Sequence, residues 1–208
     1  MNIASNGLAV EKVHVWRGVC HVLKGVSCRL EAGELMHVSG RNGAGKTTLL
    51  RVAGGLLRPE QGEVTWAGGP ADERAPHYRR LLAFAAHEPA LKADLTALEN
   101  LHFLVGLRRP ASPAALLEDL RRTGVESCAG LPARVLSAGQ RRRVEMARVL
   151  ASRAVVWLLD EPFSNLDAAG AALMSQLLNE HVAAGGLAMV AAHHELDIDV
   201  QTRHLDLS

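Results

Sequence analysis

Three short stretches of this chain combine residue types and spacings that could do chemistry. Gly40-Arg41-Asn42-Gly43-Ala44-Gly45-Lys46-Thr47 fits the pattern G-x4-G-K-[ST]. Its glycines let backbone N–H groups curl round phosphate oxygens without side-chain obstruction. Lys46 adds a point charge to the β- and γ-phosphate oxygens, and Thr47 offers a hydroxyl to Mg²⁺. The second stretch, VVWLLDEP at 155–162, is an apolar run ending in two carboxylates. Asp160 is placed to hold Mg²⁺ through water, and Glu161 to polarise an attacking water as general base. Alone, that run reads as an ordinary strand end. With a phosphate loop upstream it reads as nucleotide hydrolysis.

The third stretch, LSAGQRRRVEMARVL at 136–150, opens a basic amphipathic helix. Ser137 followed three residues later by Gln140 fits a capping box. Small residues at a helix N-terminus leave backbone N–H groups and the positive dipole end open to an anion. One chain therefore carries two anion sites almost a hundred residues apart.

The elements that must position these residues follow from periodicity. LAVEKVHVW, HVLKGVSCRL, GELMHVSG and GEVTWAGG read as strands, and GKTTLLRVAGG as a helix stopped by Gly54-Gly55. The phosphate loop thus lies between a strand and a helix, the context its motif requires. After a loop, LLAFAAHE is a further apolar run. From about 88 to 150 the pattern turns helical. Thr96 with Glu99 makes a second capping box, and Ser112 with Pro113 makes an N-cap and first helical position, with Gly124 as the stop. AVVWLLD and LAMVAA read as buried parallel strands flanking a helix at 168–183. The expected organisation is one domain over 1–208, with a core of 1–87 and 151–208 and a helical subdomain at about 88–150.

Composition sets limits on partners. The 208 residues are 48% apolar and 22% charged, with a net charge of +1 and 3% aromatics. That balance gives no basic footprint or stacking platform for direct nucleic-acid binding, and none for an anionic membrane surface. Arg141-Arg142-Arg143 reads as a solvated helix face. Cys20, Cys28 and Cys128 form no CxxC pair, as expected of thiols in a reducing compartment. The N-terminus lacks a secretion-signal pattern, and no run approaches the ~18 apolar residues that span a bilayer. His193 and His194 are neighbours, but adjacent strand residues face opposite sides, which argues against a shared metal.

GRNGAGKTTLL, LSAGQ, VVWLLDEP, SNLD at 164–167 and a histidine after a late strand together resemble the ATP-binding cassette ATPases, in order and over nearly the whole chain. The resemblance implies an α/β P-loop NTPase fold with a mixed-sheet core and a helical insert, and transport-coupled hydrolysis of ATP with Mg²⁺. It also implies a head-to-tail dimer, because in that family the signature of one subunit completes the phosphate site of a second. Ser137 and Gly139, with Gln140 beside them, would then meet the partner's γ-phosphate. Asp167 would sit in the loop crossing the dimer contact. His193 would contact the γ-phosphate and attacking water. Thr48 would extend the phosphate loop's contacts. Trp16 would stack on adenine, with a core tryptophan as the alternative.

At the place of the family's usual glutamine stands His87, a poor ligand for a hard cation, with Glu88 as an alternative oxygen donor. That histidine, followed by LK-x-x-LTALENL and LSAGQRRRV, is similar to the ATPase subunits of bacterial cytochrome c maturation (Ccm) systems. The similarity implies docking on integral membrane Ccm-type subunits at the cytoplasmic face of the inner membrane, through residues around 88–104, in the service of haem delivery. Another small exporter for drugs, lipids or peptides is the alternative.

Overall fold

The computed structural model describes residues 7–71 and 76–208. The first six residues, on which part of the reading of the N-terminus falls, lie outside the described residues. Strands β1 (Gly7–Arg17) and β2 (Cys20–Glu31) pair antiparallel. Strand β4 (Gln61–Trp66) joins the other side of β1, and the two-residue β5 (Gly69–Pro70) follows it, giving the order β2-β1-β4-β5. The second sheet is parallel, in the order β6-β7-β8-β3-β9. It contains β3 (Leu35–Ser39), β6 (Leu82–Ala85), β7 (Val156–Asp160), β8 (Leu187–Ala191) and β9 (Thr202–Asp206). The mixed-sheet core is thus two sheets, one of each kind.

Helix α1 (Lys46–Ala53) follows β3 and buries Leu49, Leu50, Val52 and Ala53. The parallel sheet is covered on both faces, which is why its strands read as unbroken apolar runs. Met36, Val38, Val156, Leu158, Met189 and Ala191 join the cluster shared with α1 and the antiparallel sheet. Their neighbours Leu35, Trp157, Leu159 and Val190 point into a second cluster with α6 (Ala168–Ala183) and part of α5 (Ala138–Ser152). Each fully buried Leu or Val there contributes about 1.5–3 kcal/mol. Helices α3 (Ala97–Gly106) and α4 (Pro113–Arg122) close a third cluster against α5, through Leu101, Leu116, Leu120 and Val144.

The capping signals hold. Thr96 and Glu99 form a reciprocal box at α3, and Ser137 and Gln140 form one at α5. The Ser112 side chain caps α4, whose first residue is Pro113. Two elements carried no signal in the sequence. Helix α2 (Pro76–Leu81) is only six residues long, anchored by the buried Tyr78, whose hydroxyl donates to the Ala53 carbonyl at 2.8 Å. Strand β9 has no apolar alternation, and its register is set by backbone pairing with β3. Among the described residues no helix is long and apolar enough to cross a membrane.

Candidate nucleotide site

The loop between β3 and α1 is shaped by glycines. Gly45 has φ +106°, and a Cβ there would lie 2.8 Å from Leu23 and 3.0 Å from Val22. Only glycine satisfies both the backbone conformation and the close approach of β2. The loop's fixed curl turns the first N–H groups of α1 towards a cavity of about 670 Å³, lined by Arg41, Asn42, Gly43, Gly45, Lys46, Thr47 and Thr48. Asp160, Glu161, Ser164, His87 and His193 line its other wall. Strand order explains this meeting: β7 and β8 run parallel beside β3, so the loops after all three emerge at one edge.

Lys46 is nearly buried, and its Nζ donates to the Gly40 carbonyl at 2.8 Å, 3.2 Å from Nε2 of His193. The Thr47 hydroxyl donates to Asp160 Oδ2 at 2.7 Å, and Asp160 is 2% exposed. Two hard oxygens held at the phosphate end suit Mg²⁺, which favours oxygen and completes its shell with water and phosphate. Thr47 and Asp160 therefore fit the ion. His87 lines the same cavity through a side chain that offers only nitrogen, and Glu88 is absent from its lining. The expectation that either ligates the metal gains no support from the geometry.

Glu161 sits at φ +51°, a left-handed conformation that a non-glycine residue adopts at a cost, and one common at functional turns. Its Oε1 is buried without a hydrogen-bond donor among the described residues and faces His193 Nε2 at 3.4 Å. A buried carboxylate oxygen with spare acceptor capacity, beside an imidazole, is suited to take a proton from water. His193 and His194 lie in a bend past the end of β8, not on the strand. The alternation argument for their separation therefore does not apply. Among the described residues, no group of three or more His, Cys, Asp or Glu side chains could hold a metal ion.

Trp16 lies near the end of β1. It is half-buried and stacks on His21, ring centroids 3.9 Å apart, outside the cavity lining. His21 in turn lies 3.0 Å from His14, ring nitrogen to ring nitrogen. Arg17, the next residue, lines the cavity instead and donates to the Thr48 hydroxyl at 3.3 Å. The signal was available in the sequence: Val13 and Val15 face inward, so the intervening His14 and the following Trp16 share the other face. Val22, Arg51 and Ser164 also line the cavity unforeseen.

Ser137, Gly139, Gln140 and Asp167 do not join this site. They line a separate cavity of about 570 Å³ at the N-terminus of α5, with Arg143 and Asn165. Gln140 N donates to Ser137 Oγ at 3.1 Å, and Ser137 N to Gln140 Oε1 at 2.8 Å. Asp167 Oδ1 accepts from Gly170 N at 2.8 Å and from Arg143 at 2.7 Å. The Gly170 amide, with Arg143 adding to it, holds the Asp167 carboxyl below its usual range. A Cβ on Gly139 would meet the Asn165 carbonyl at 2.7 Å, so glycine lets α5 lie against the SNLD loop.

Comparison with known proteins shows the family and the fold. The ABC transporter family profile matches residues 23–164. This chain belongs to the ABC transporter family. ABC proteins of known structure share its fold: a dimeric cassette, MJ0796, superposes with TM-score 0.86 at 26% identity, over 96% of this chain and 94% of its own. The post-hydrolysis dimer of MJ0796 bound to ADP and Pi gives 0.81 at 27% identity, over 90% and 88%. Among curated ABC relatives, the cytochrome c biogenesis ATP-binding export protein CcmA of Methylococcus capsulatus is 43% identical over 97% of this chain and 98% of its own. CcmA of Escherichia coli K12 is 42% identical over 85% and 84%.

Proposed function

We propose that this chain is the ATP-hydrolysing subunit of a membrane complex serving c-type cytochrome maturation, with haem as the species moved or released. The observation that carries the enzymatic part is the convergence of Lys46, Thr47, Asp160, Glu161 and His193 on one cavity at the parallel sheet's edge. Loop N–H groups and Lys46 bind and orient the triphosphate. Thr47 and Asp160 would hold Mg²⁺, which would neutralise phosphate charge. Glu161 accepts the proton of the attacking water, and His193 holds its place between Lys46 and Glu161. Positioning and electrostatics supply most of the rate. The relatives' names carry the cytochrome c part.

The functional unit in this reading is a head-to-tail dimer in which Ser137 and Gly139 face the partner's γ-phosphate. It docks on integral membrane Ccm-type subunits from the cytoplasmic side, through the 88–104 segment, within a domain divided into core 1–87 and 151–208 and insert 88–150. The deciding experiment purifies the Glu161→Gln protein from its native membranes with Mg-ATP and identifies what accompanies it. Small polytopic Ccm subunits with a haem-bearing chaperone support the reading. A different permease sinks the cytochrome role and leaves the ATPase.

A further inference from the structure

Among the described residues the outer edge of β6 has no strand beside it, so its carbonyls need partners. Arginines from the helical insert supply them with the period of a strand. Arg108 donates to the Leu82 carbonyl, Arg148 to Phe84 and Arg142 to Ala86, the last at 2.9 Å. The innermost of the three does more. Arg142 is 2% exposed; it also donates to the His87 carbonyl, and to the Ser164 hydroxyl at 3.0 Å. Its buried Nε has no acceptor among the described residues. Burial pushes the guanidinium's pKa down, opposed by the charges of Glu145, Asp160 and Glu161.

His87 and Ser164 both line the nucleotide cavity, and Arg142 grows from α5, whose N-terminus lines the second cavity. The arginine expected on a solvated face instead joins α5 to both loops at the catalytic end. We infer that Arg142 is a positioning residue for hydrolysis: it fixes the His87 and Ser164 loops at the γ-phosphate end from the helix that presents the other anion site. This rests on the reading of the cavity as the ATP site. A guanidinium reaches three acceptors in a fixed planar fork, whereas a lysine ammonium on a flexible stem cannot span the same set.

The test compares the full chain with Arg142→Lys, Ser164→Ala and the double variant, measuring kcat, KM for Mg-ATP, fluorescent-ATP affinity and circular dichroism. Arg142→Lys keeps the charge, fold and nucleotide affinity within about twofold, while kcat falls about tenfold or more, the loss of one or two charge-assisted hydrogen bonds. Ser164→Ala lowers kcat less, and the double variant is no slower than Arg142→Lys, because both changes cut one link. Unchanged kcat in Arg142→Lys overturns the proposal. So does a parallel loss of affinity and kcat, or full multiplication of the two effects in the double variant. Lys46→Ala runs beside them: if it binds ATP as well as the parent does, the cavity reading falls, and the proposal with it.

Discussion

The phosphate-loop cavity and the cavity at the N-terminus of α5 are built on opposite principles. In the phosphate-loop cavity, side chains from several separate segments converge, and His193 lies 3.2 Å from Lys46 and 3.4 Å from Glu161. At the N-terminus of α5 the polar side chains are satisfied at home: Ser137 by Gln140, Asp167 by Gly170 and Arg143. The first is equipped to act on a bound molecule. The second is lined by side chains already paired with one another, Asp167 with Arg143 among them.

That contrast can be broken most directly at Glu161. Glu161→Gln should retain ATP affinity and lose about 10³-fold in kcat, within the range of general-base contributions. Turnover near the parental rate would remove Glu161 as the base. Lys46→Ala should lose about 100-fold in ATP affinity, the worth of a charge-assisted contact, measured by titration with a fluorescent nucleotide. Unaltered affinity would mean that the ligand lies elsewhere.

Acid separates scaffold from site. His181 stacks on Trp157 with centroids 3.8 Å apart, and its Nε2 lies 3.1 Å from the Val155 carbonyl, at the strand ends remote from Asp160. Burial lowers its pKa from 6.5 to about 4, against the Leu187 and Val155 carbonyls, which favour the charged ring. Between those values the unfolded chain binds a proton that the folded chain refuses. Stability therefore falls as pH drops from 6.5 towards 4, by about 3 kcal/mol. Urea unfolding at several pH values should show this slope, flattened in His181→Gln. An equal slope in the variant would place the acid sensitivity elsewhere.

The smallest effect sharpens the second site. Ser137→Ala removes an N-cap and should cost about 1 kcal/mol of stability. Nucleotide affinity of the monomer should hold, while ATP-dependent dimerisation in the Glu161→Gln background weakens. Weaker monomer affinity would tie Ser137 to the first cavity after all.

Much of this was legible in the residues because the signals are local. G-x4-G-K-[ST] sets its own backbone path, capping boxes act within four residues, and unbroken apolar runs announce strands covered on both faces. Those features determined the fold class, the phosphate loop, and the pair Asp160 and Glu161. Other assignments depended on what lies across a sheet or under a helix. Trp16 and Arg17 are neighbours whose opposite faces follow from alternation along β1, but their partners, His21 for the tryptophan and the cavity for the arginine, came from the pairing of β1 with β2. Strand β9 exists because β3 had a free edge. Arg142 reads as one of three exposed arginines until the unpaired carbonyls beyond β6 are brought beneath α5. Sequence determines what a segment can satisfy by itself; the tertiary structure decides which distant group satisfies the rest, since buried polar atoms take whatever partner the packing supplies.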